Sequence, residues 1–274
     1  MNIHLGPLAL QTAHLLALGC ALLAMGTGWL VGRKRGTGIA DVLFDMVLVA
    51  VPTGRAVFVG LWWSAYQDSP WSVFDIRDGG LEPWSALAAA LLLAGWRVRQ
   101  HPGLLRPLFW GLLVGFSAWS GVLAAGLNGQ PNGAAPPSVR LSDLNGQALS
   151  LVAPTDGRAM VVNLWATWCP PCQREMPALA RAQGLHPEVQ FVFVNQGESL
   201  GVVQRYLRLV PFQLQRVLVD EDSQLGKALD SSALPMTLIY APGGRLAYSH
   251  QGQISEAVLA MQLARCCQWH KTGI

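Results

Sequence analysis

Apolar residues fill the first 127 positions in four long blocks, and beyond them fall into short runs broken by turns. The first block runs from about Leu8 to Val31, long enough to span a bilayer. The second covers about Val42 to Trp63 and contains Asp45 and Arg55. The third, about Leu81 to Trp96, is short, and the fourth runs from about Leu105 to Leu127. This pattern predicts a polytopic membrane domain of about four spans over residues 1–127. A Gly/Pro/Asn-rich linker follows at 128–137, and a separate domain at 138–274.

The second half reads differently. Leu144-Asn145-Gly146-Gln147 carries an Asn-Gly hairpin signal between short alternating runs. Ala159 to Trp165 reads as a buried strand, and Gln173 to Arg181 suits a helix. Val189 to Val194 is a central strand, Ser199 to Val210 a helix stopped before Pro211, and Arg216 to Val219 a further strand. Met236 to Tyr240 and Arg245 to His250 flank a turn at Pro242-Gly243-Gly244, and Ile254 to Cys267 closes the domain as a helix. Strands alternating with helices predict an α/β sheet.

Composition sharpens the division. Charged residues make up only 13% of the chain, hydrophobic ones reach 51%, and there are 11 tryptophans. A soluble protein carries about a quarter charged residues. The net charge of +3 is small and its basic residues are dispersed, so nucleic acid is not indicated as a partner. Charge also orients the spans. Arg33-Lys34-Arg35 follows the first block and no Lys or Arg precedes it, which argues against a cleaved signal peptide. By the positive-inside rule that cluster and the loop bearing Arg97, Arg99 and Arg106 are cytoplasmic. The stretch from Gln67 to Gly80, with three Asp and one Arg, then lies outside. Four spans bring the second domain out of the cell, where disulfides persist.

The candidate chemistry is Trp168-Cys169-Pro170-Pro171-Cys172, at the junction of a strand and a helix. Two cysteines so spaced can close a small reversible disulfide, and unpaired helix N–H groups favour a thiolate on the first. A zinc half-site would need a second ligand pair. The remaining cysteines, Cys20 and the adjacent Cys266 and Cys267, do not form one, so no metal or cofactor is expected. Cys266 and Cys267 read as helix-terminal residues without redox duty, and His186 and His250 as solvent-facing or loop histidines.

From about Val139 to Leu263 the chain resembles the thioredoxin superfamily, and within it the membrane-tethered TlpA/ResA-like thiol:disulfide oxidoreductases. The residues that carry the likeness are Val162-Asn163-Leu164-Trp165-Ala166-Thr167-Trp168-Cys169-Pro170-Pro171-Cys172, Glu175-Met176-Pro177, Val194-Asn195-Gln196-Gly197-Glu198-Ser199 and Leu234-Pro235-Met236-Thr237-Leu238-Ile239. The resemblance implies an α/β thioredoxin-like fold, with Cys169 as attacking thiol and Cys172 as resolving thiol. It implies that Pro235 is a cis-proline facing the dithiol, and that Glu175 is the acidic residue near the site. Trp168 and Asn163 support the site. Asn163 stands where cytosolic thioredoxins carry a buried aspartate, which makes Glu175 the candidate proton acceptor.

The four apolar blocks and their charges predict a multi-pass protein, and with the resemblance to membrane-tethered, extracytoplasmic oxidoreductases they place it in the bacterial plasma (inner) membrane with its redox domain on the periplasmic side. Its partners would be protein thiols and disulfides, as in cytochrome c maturation or metal-site assembly. Pro170 and Pro171 carry no charge and donate no N–H, so Cys169 is only moderately acidified, which favours a reductase. An oxidase or isomerase, or a non-redox lipid-handling scaffold, are the alternatives. Cys20 is the lone cysteine of the first 127 residues, so electrons must come from a separate membrane donor in trans.

Residues 5–90 also resemble prolipoprotein diacylglyceryl transferase, through Gly6-Pro7-Leu8-Ala9-Leu10, Gly54-Arg55 and Asp78-Gly79-Gly80. The histidine that family needs is replaced by Trp84-Ser85-Ala86, and its first-span motif by Gln11-Thr12-Ala13-His14. The likeness implies a degenerate relative serving as an anchor in the lipid bilayer, with Arg55 snorkelling or pairing within the bundle.

Overall fold

The computed structural model describes residues 2–5, 8–32, 39–67, 70–74, 80–124, 133–231 and 233–268. The basic cluster Arg33-Lys34-Arg35, the Gly6-Pro7 and Asp78-Gly79 pairs and the first half of the expected linker lie outside them. The chain divides into two compact units, one formed by the sequence up to Gly129 and the other chiefly by Gln130–Ile274.

The first unit opens with a short antiparallel hairpin, β1 (Asn2–Leu5) and β2 (Leu8–Gln11), which the apolar pattern did not signal. Four longer helices follow among the described residues: α1 (Thr12–Gly32), α2 (Ile39–Leu61), α3 (Pro83–Gln100) and α4 (Leu105–Ala124). They occupy the four apolar blocks. α1 packs on α4 and α2 on α3. The first pair approaches closely because Gly111 faces α1: a Cβ there would lie 2.8 Å from the carbonyl oxygen of Ala24. Ile39, Val42, Met46, Ala94, Leu104 and Leu108 form a core.

Among the described residues, α2 is the helix both long and apolar enough to cross a membrane, and α1 contributes a shorter apolar stretch, Leu18–Gly32. α3 ends on two arginines, Arg97 and Arg99, which dilute its hydropathy. Two charged residues of α2, Asp45 and Arg55, are matched inside the unit. Asp45 pairs with Arg97. Arg55 is buried, donating from Nε to the Val73 carbonyl at 2.9 Å and from Nη1 to the Gly80 carbonyl at 2.8 Å, with its guanidinium over the rings of Phe58 and Tyr66.

The second unit is a seven-stranded mixed sheet flanked by helices, the expected thioredoxin-like α/β architecture. In chain order it contains β3 (Arg140–Asp143), β4 (Ala148–Ser150), β5 (Ala159–Trp165), α5 (Pro170–Leu185), β6 (Val189–Gln196), α6 (Leu200–Leu209), β7 (Val217–Asp220), α7 (Gln224–Ala228), β8 (Met236–Tyr240), β9 (Leu246–Gln251) and α8 (Glu256–Gln268). The strand order is β4-β3-β7-β6-β5-β8-β9. β5, β6 and β7 are parallel; β8 and β9 run antiparallel on one side, β3 and β4 on the other.

Every residue of β5 is buried, as a run apolar but for Asn163 at the centre of a sheet covered on both faces should be. Met160, Val162, Leu164, Val192, Val194 and Leu238 form the middle of the core. The hairpin glycine Gly146 takes φ 81°, the left-handed conformation that the turn demands. α7 has no apolar periodicity to announce it. It is held by Asp220, whose carboxylate accepts the backbone N–H groups of Gln224 and Leu225, each at 2.8 Å.

Candidate redox site

β5 carries the chain up through the sheet centre, and Ala166, Thr167 and Trp168 turn it into α5. Cys169 is the N-cap of that helix, with φ −92° and ψ 104°, and its Sγ accepts the Cys172 N–H at 3.3 Å. Pro170 at the first helical position loses nothing, since its N–H would have no helical partner. The sulfurs of Cys169 and Cys172 are joined at 2.05 Å, with their Cα atoms 5.3 Å apart. Cys169 retains 3% of its surface and Cys172 none, so approach is from the side of Cys169. The helix N-terminus favours negative charge on the first sulfur once it is released.

Glu175 lies one turn further along α5 and is 1% exposed. It is therefore a buried acid and not a solvated residue of the first helical turn. Its Oε1 accepts from Asn163 Nδ2 at 2.8 Å and its Oε2 from the Ile254 N–H at 2.9 Å. Burial pushes this carboxyl up to about 7 against an ordinary 4.5, and the two hydrogen bonds oppose the rise only in part. An acid poised there can hold or accept a proton near neutral pH. Asn163 Nδ2 also lies 3.1 Å from Thr237 Oγ1, so β5, β8 and α5 meet at one buried polar cluster.

The peptide between Leu234 and Pro235 is cis, and Pro235 immediately precedes β8. Leu164 pairs with Met236, which sets Pro235 at the end of β5 from which the chain runs to the dithiol. Trp168 is 66% exposed beside Cys169. The structure thus brings Cys169, Cys172, Asn163 and Glu175 together, with Pro235 at the same end of the sheet. Cys20, half-buried in α1, and Cys266, buried in α8, belong to other parts of the chain.

One group escaped sequence reasoning. Glu198, in the turn after β6, accepts the Thr167 N–H at 2.6 Å, the Thr167 hydroxyl at 2.5 Å and Asn195 Nδ2 at 2.7 Å. Gln173 Nε2 adds a bond to the Thr167 carbonyl at 2.5 Å. These bonds pin the residue two places before Cys169. The signal was present in the run Val194 to Ser199, but no local pattern says where its acid points. His250 is also a correction: it lies half-buried on β9, bonded to Tyr248 and to the Gln253 carbonyl, rather than facing solvent. His186 caps the end of α5, 3.0 Å from Glu188.

Comparison with known proteins concerns the second unit. The family model described as Redoxin matches residues 130–262. The thiol-disulfide oxidoreductase ResA of Bacillus subtilis is 31% identical over 152 residues, covering 53% of this chain and 81% of its own. The thiol:disulfide interchange protein DsbE of Yersinia pestis is 27% identical over 146 residues, covering 52% and 73%. A crystal structure of a thiol:disulfide interchange protein of the thioredoxin family from Chlorobium tepidum covers 49% of this chain and 96% of its own, with TM-score 0.42 and 22% identity.

Proposed function

The chain belongs to the ResA-type thiol-disulfide oxidoreductases, and from that premise we propose that it is an extracytoplasmic reductase of selected protein disulfides. The single observation that carries this reading is the Cys169–Cys172 pair capping α5 with the buried carboxyl of Glu175 behind it. In the reduced enzyme the Cys169 thiolate attacks one sulfur of a substrate disulfide, and the other substrate sulfur leaves as a thiolate. The Cys172 thiol gives its proton to Glu175 and attacks Cys169 Sγ. The second substrate sulfur is released, and the enzyme disulfide forms. The cis-peptide at Pro235 and the exposed ring of Trp168 line the approach and dock the substrate chain. A separate membrane donor then returns two electrons.

Direction follows from what lies between the cysteines. Pro170 and Pro171 bring no cation and no N–H to stabilise the reduced form, which favours a low potential. Substrates of the cytochrome c maturation or metal-site assembly type fit such a reductase.

The helical unit is read as a four-span anchor over residues 1–127, joined by a linker at 128–137 to the redox domain at 138–274. Its support is an outer surface of exposed Leu18, Phe44, Leu48, Leu61, Leu92 and Phe116, with Arg55 buried and Asp45 and Arg97 paired with each other. The likeness to prolipoprotein diacylglyceryl transferase fits the same role. Arg55 is engaged by backbone carbonyls, which supports pairing within the bundle over snorkelling.

The test is the reduction potential of the full chain in detergent, together with trapping of partners in cells by Cys172→Ala. A potential near the thioredoxin value of about −270 mV supports a reductase; one near the strong oxidant value of about −120 mV assigns an oxidase.

A further inference from the structure

His250 and Glu175 are held on opposite sides of one peptide group. The Ile254 N–H donates to Glu175 Oε2 at 2.9 Å, and the carbonyl of the same peptide, that of Gln253, lies 3.2 Å from His250 Nε2. We propose that this peptide couples the imidazole of His250 to the carboxyl of Glu175, making His250 a positioning residue that sets the proton affinity of the acid. The proposal rests on the reading of Glu175 as proton acceptor only for its consequence in turnover.

The geometry fixes the tautomer. A carbonyl can only accept, so His250 Nε2 carries the hydrogen. Nδ1 faces the Tyr248 hydroxyl at 3.3 Å, which donates to it when the ring is neutral. A second proton on Nδ1 needs only a turn of that hydroxyl, and neither contact is lost. The Tyr248 ring stacks on the imidazole at 6.2 Å between centroids, with 13° between the planes. The pairing of Thr237 with His250 across β8 and β9 sets the ring on the strand beside the Asn163–Glu175 cluster. Arg174 Nε holds the Gln253 side chain at 3.1 Å, which steadies the peptide.

A donor on the carbonyl polarises the peptide and strengthens its N–H toward a carboxylate. A protonated ring does so more than a neutral one, so ionised Glu175 and imidazolium favour each other. Other ionisable groups border this corner. They are Arg174 on α5, Arg181 on α5 paired with Glu256 on α8 at 2.9 Å, Tyr248 on β9 and the cysteine pair. Burial raises the carboxyl, and the Ile254 N–H and the Asn163 amide are the bonds that oppose the rise. The Gln253–Ile254 peptide links the first of those bonds to the His250 ring.

The experiment titrates the protonated-carboxyl infrared band of the full oxidised chain in detergent, the Glu175 component being the part lost in Glu175→Gln. His250→Phe should raise its midpoint by about half a pH unit. His250→Gln, whose Nε2 can still donate to the Gln253 carbonyl, should restore it. Reciprocally, the His250 midpoint read by NMR should fall in Glu175→Gln, a measurement that leaves His250 intact. Equal midpoints in wild type and His250→Phe, a shift that His250→Gln does not reverse, or an unmoved His250 in Glu175→Gln would each overturn the coupling. A Glu175 midpoint that moves while the pH profile of exchange stays put upholds the coupling and removes Glu175 from turnover.

Discussion

Asn163 Nδ2 lies 2.8 Å from Glu175 Oε1, so a neutral amide at the centre of the sheet faces a buried acid on the helix that carries the dithiol. The amide can donate to the carboxylate, and its Oδ1 has no partner among the described residues. Turned over, the same amide presents that oxygen to a donor instead. The pocket can therefore serve both states of the acid without a second charge.

Stability should register this directly. Glu175 is raised from 4.5 to about 7, so the folded protein holds this proton more tightly than the unfolded chain does. Its favourable contribution is complete below pH about 4.5, is lost as the pH climbs towards 7, and is flat above. At 1.36 kcal/mol per pH unit the decline is about 3 kcal/mol. Glu175→Gln mimics the neutral acid, so its unfolding midpoint in the oxidised full chain should stay level across that window while the wild type falls. The same variant should lower the pKa of the cysteine pair by removing nearby negative charge, yet slow exchange for lack of an acceptor. Superimposable alkylation curves would leave the acid without a part in the chemistry.

The two cysteines should fail differently. Cys169→Ser removes the attacking sulfur, and exchange should drop to the uncatalysed level with no adducts. Cys172→Ser can attack but cannot release, so mixed disulfides should accumulate on Cys169 and be visible on non-reducing gels. Equal trapping by both variants would reverse the roles of the two thiols.

The redox unit was legible because its signals are local. The apolar run Ala159 to Trp165, the Asn-Gly turn and the two cysteines at a strand-to-helix junction each state their element within a few residues. The cis-peptide at Pro235 came from resemblance, since nothing in Leu234-Pro235 itself distinguishes one isomer. What stayed hidden is long-range polar pairing. Glu198 reaches back 31 residues to Thr167, and Glu175 reaches forward 79 to Ile254. Such bonds depend on which loops the sheet brings together, and no periodicity records that. α7 was missed for a related reason: its five residues are capped by Asp220 and lack any apolar stripe.

Glu198 should matter to the dithiol although it touches neither sulfur. Its removal strands the part-buried Thr167 N–H and the amide of fully buried Asn195, and a fully buried donor left without a partner costs about 1–3 kcal/mol. Glu198→Ala should lower stability by roughly 2–4 kcal/mol and speed hydrogen exchange at Thr167. Glu198→Gln keeps one acceptor and should lose less. Unchanged exchange at Thr167 in Glu198→Ala would show that the loop is held by Gln173 and the α5 cap alone.

The final prediction concerns sidedness, on which the whole extracytoplasmic reading depends. Arg33-Lys34-Arg35 and the Arg97, Arg99, Arg106 group are two basic stretches separated by an acidic one, and the proposed four spans put an even number of crossings between an outside N-terminus and the redox domain. A reporter fused after Ile274 should therefore behave as exported, and one inserted beside Arg35 as cytoplasmic. The vulnerable point is α3, whose 18 residues end on two arginines and leave the least apolar length of the four helices. If α3 does not cross, the C-terminal reporter becomes cytoplasmic. The dithiol would then face a reducing compartment, where a reductase of persistent disulfides has little to act on.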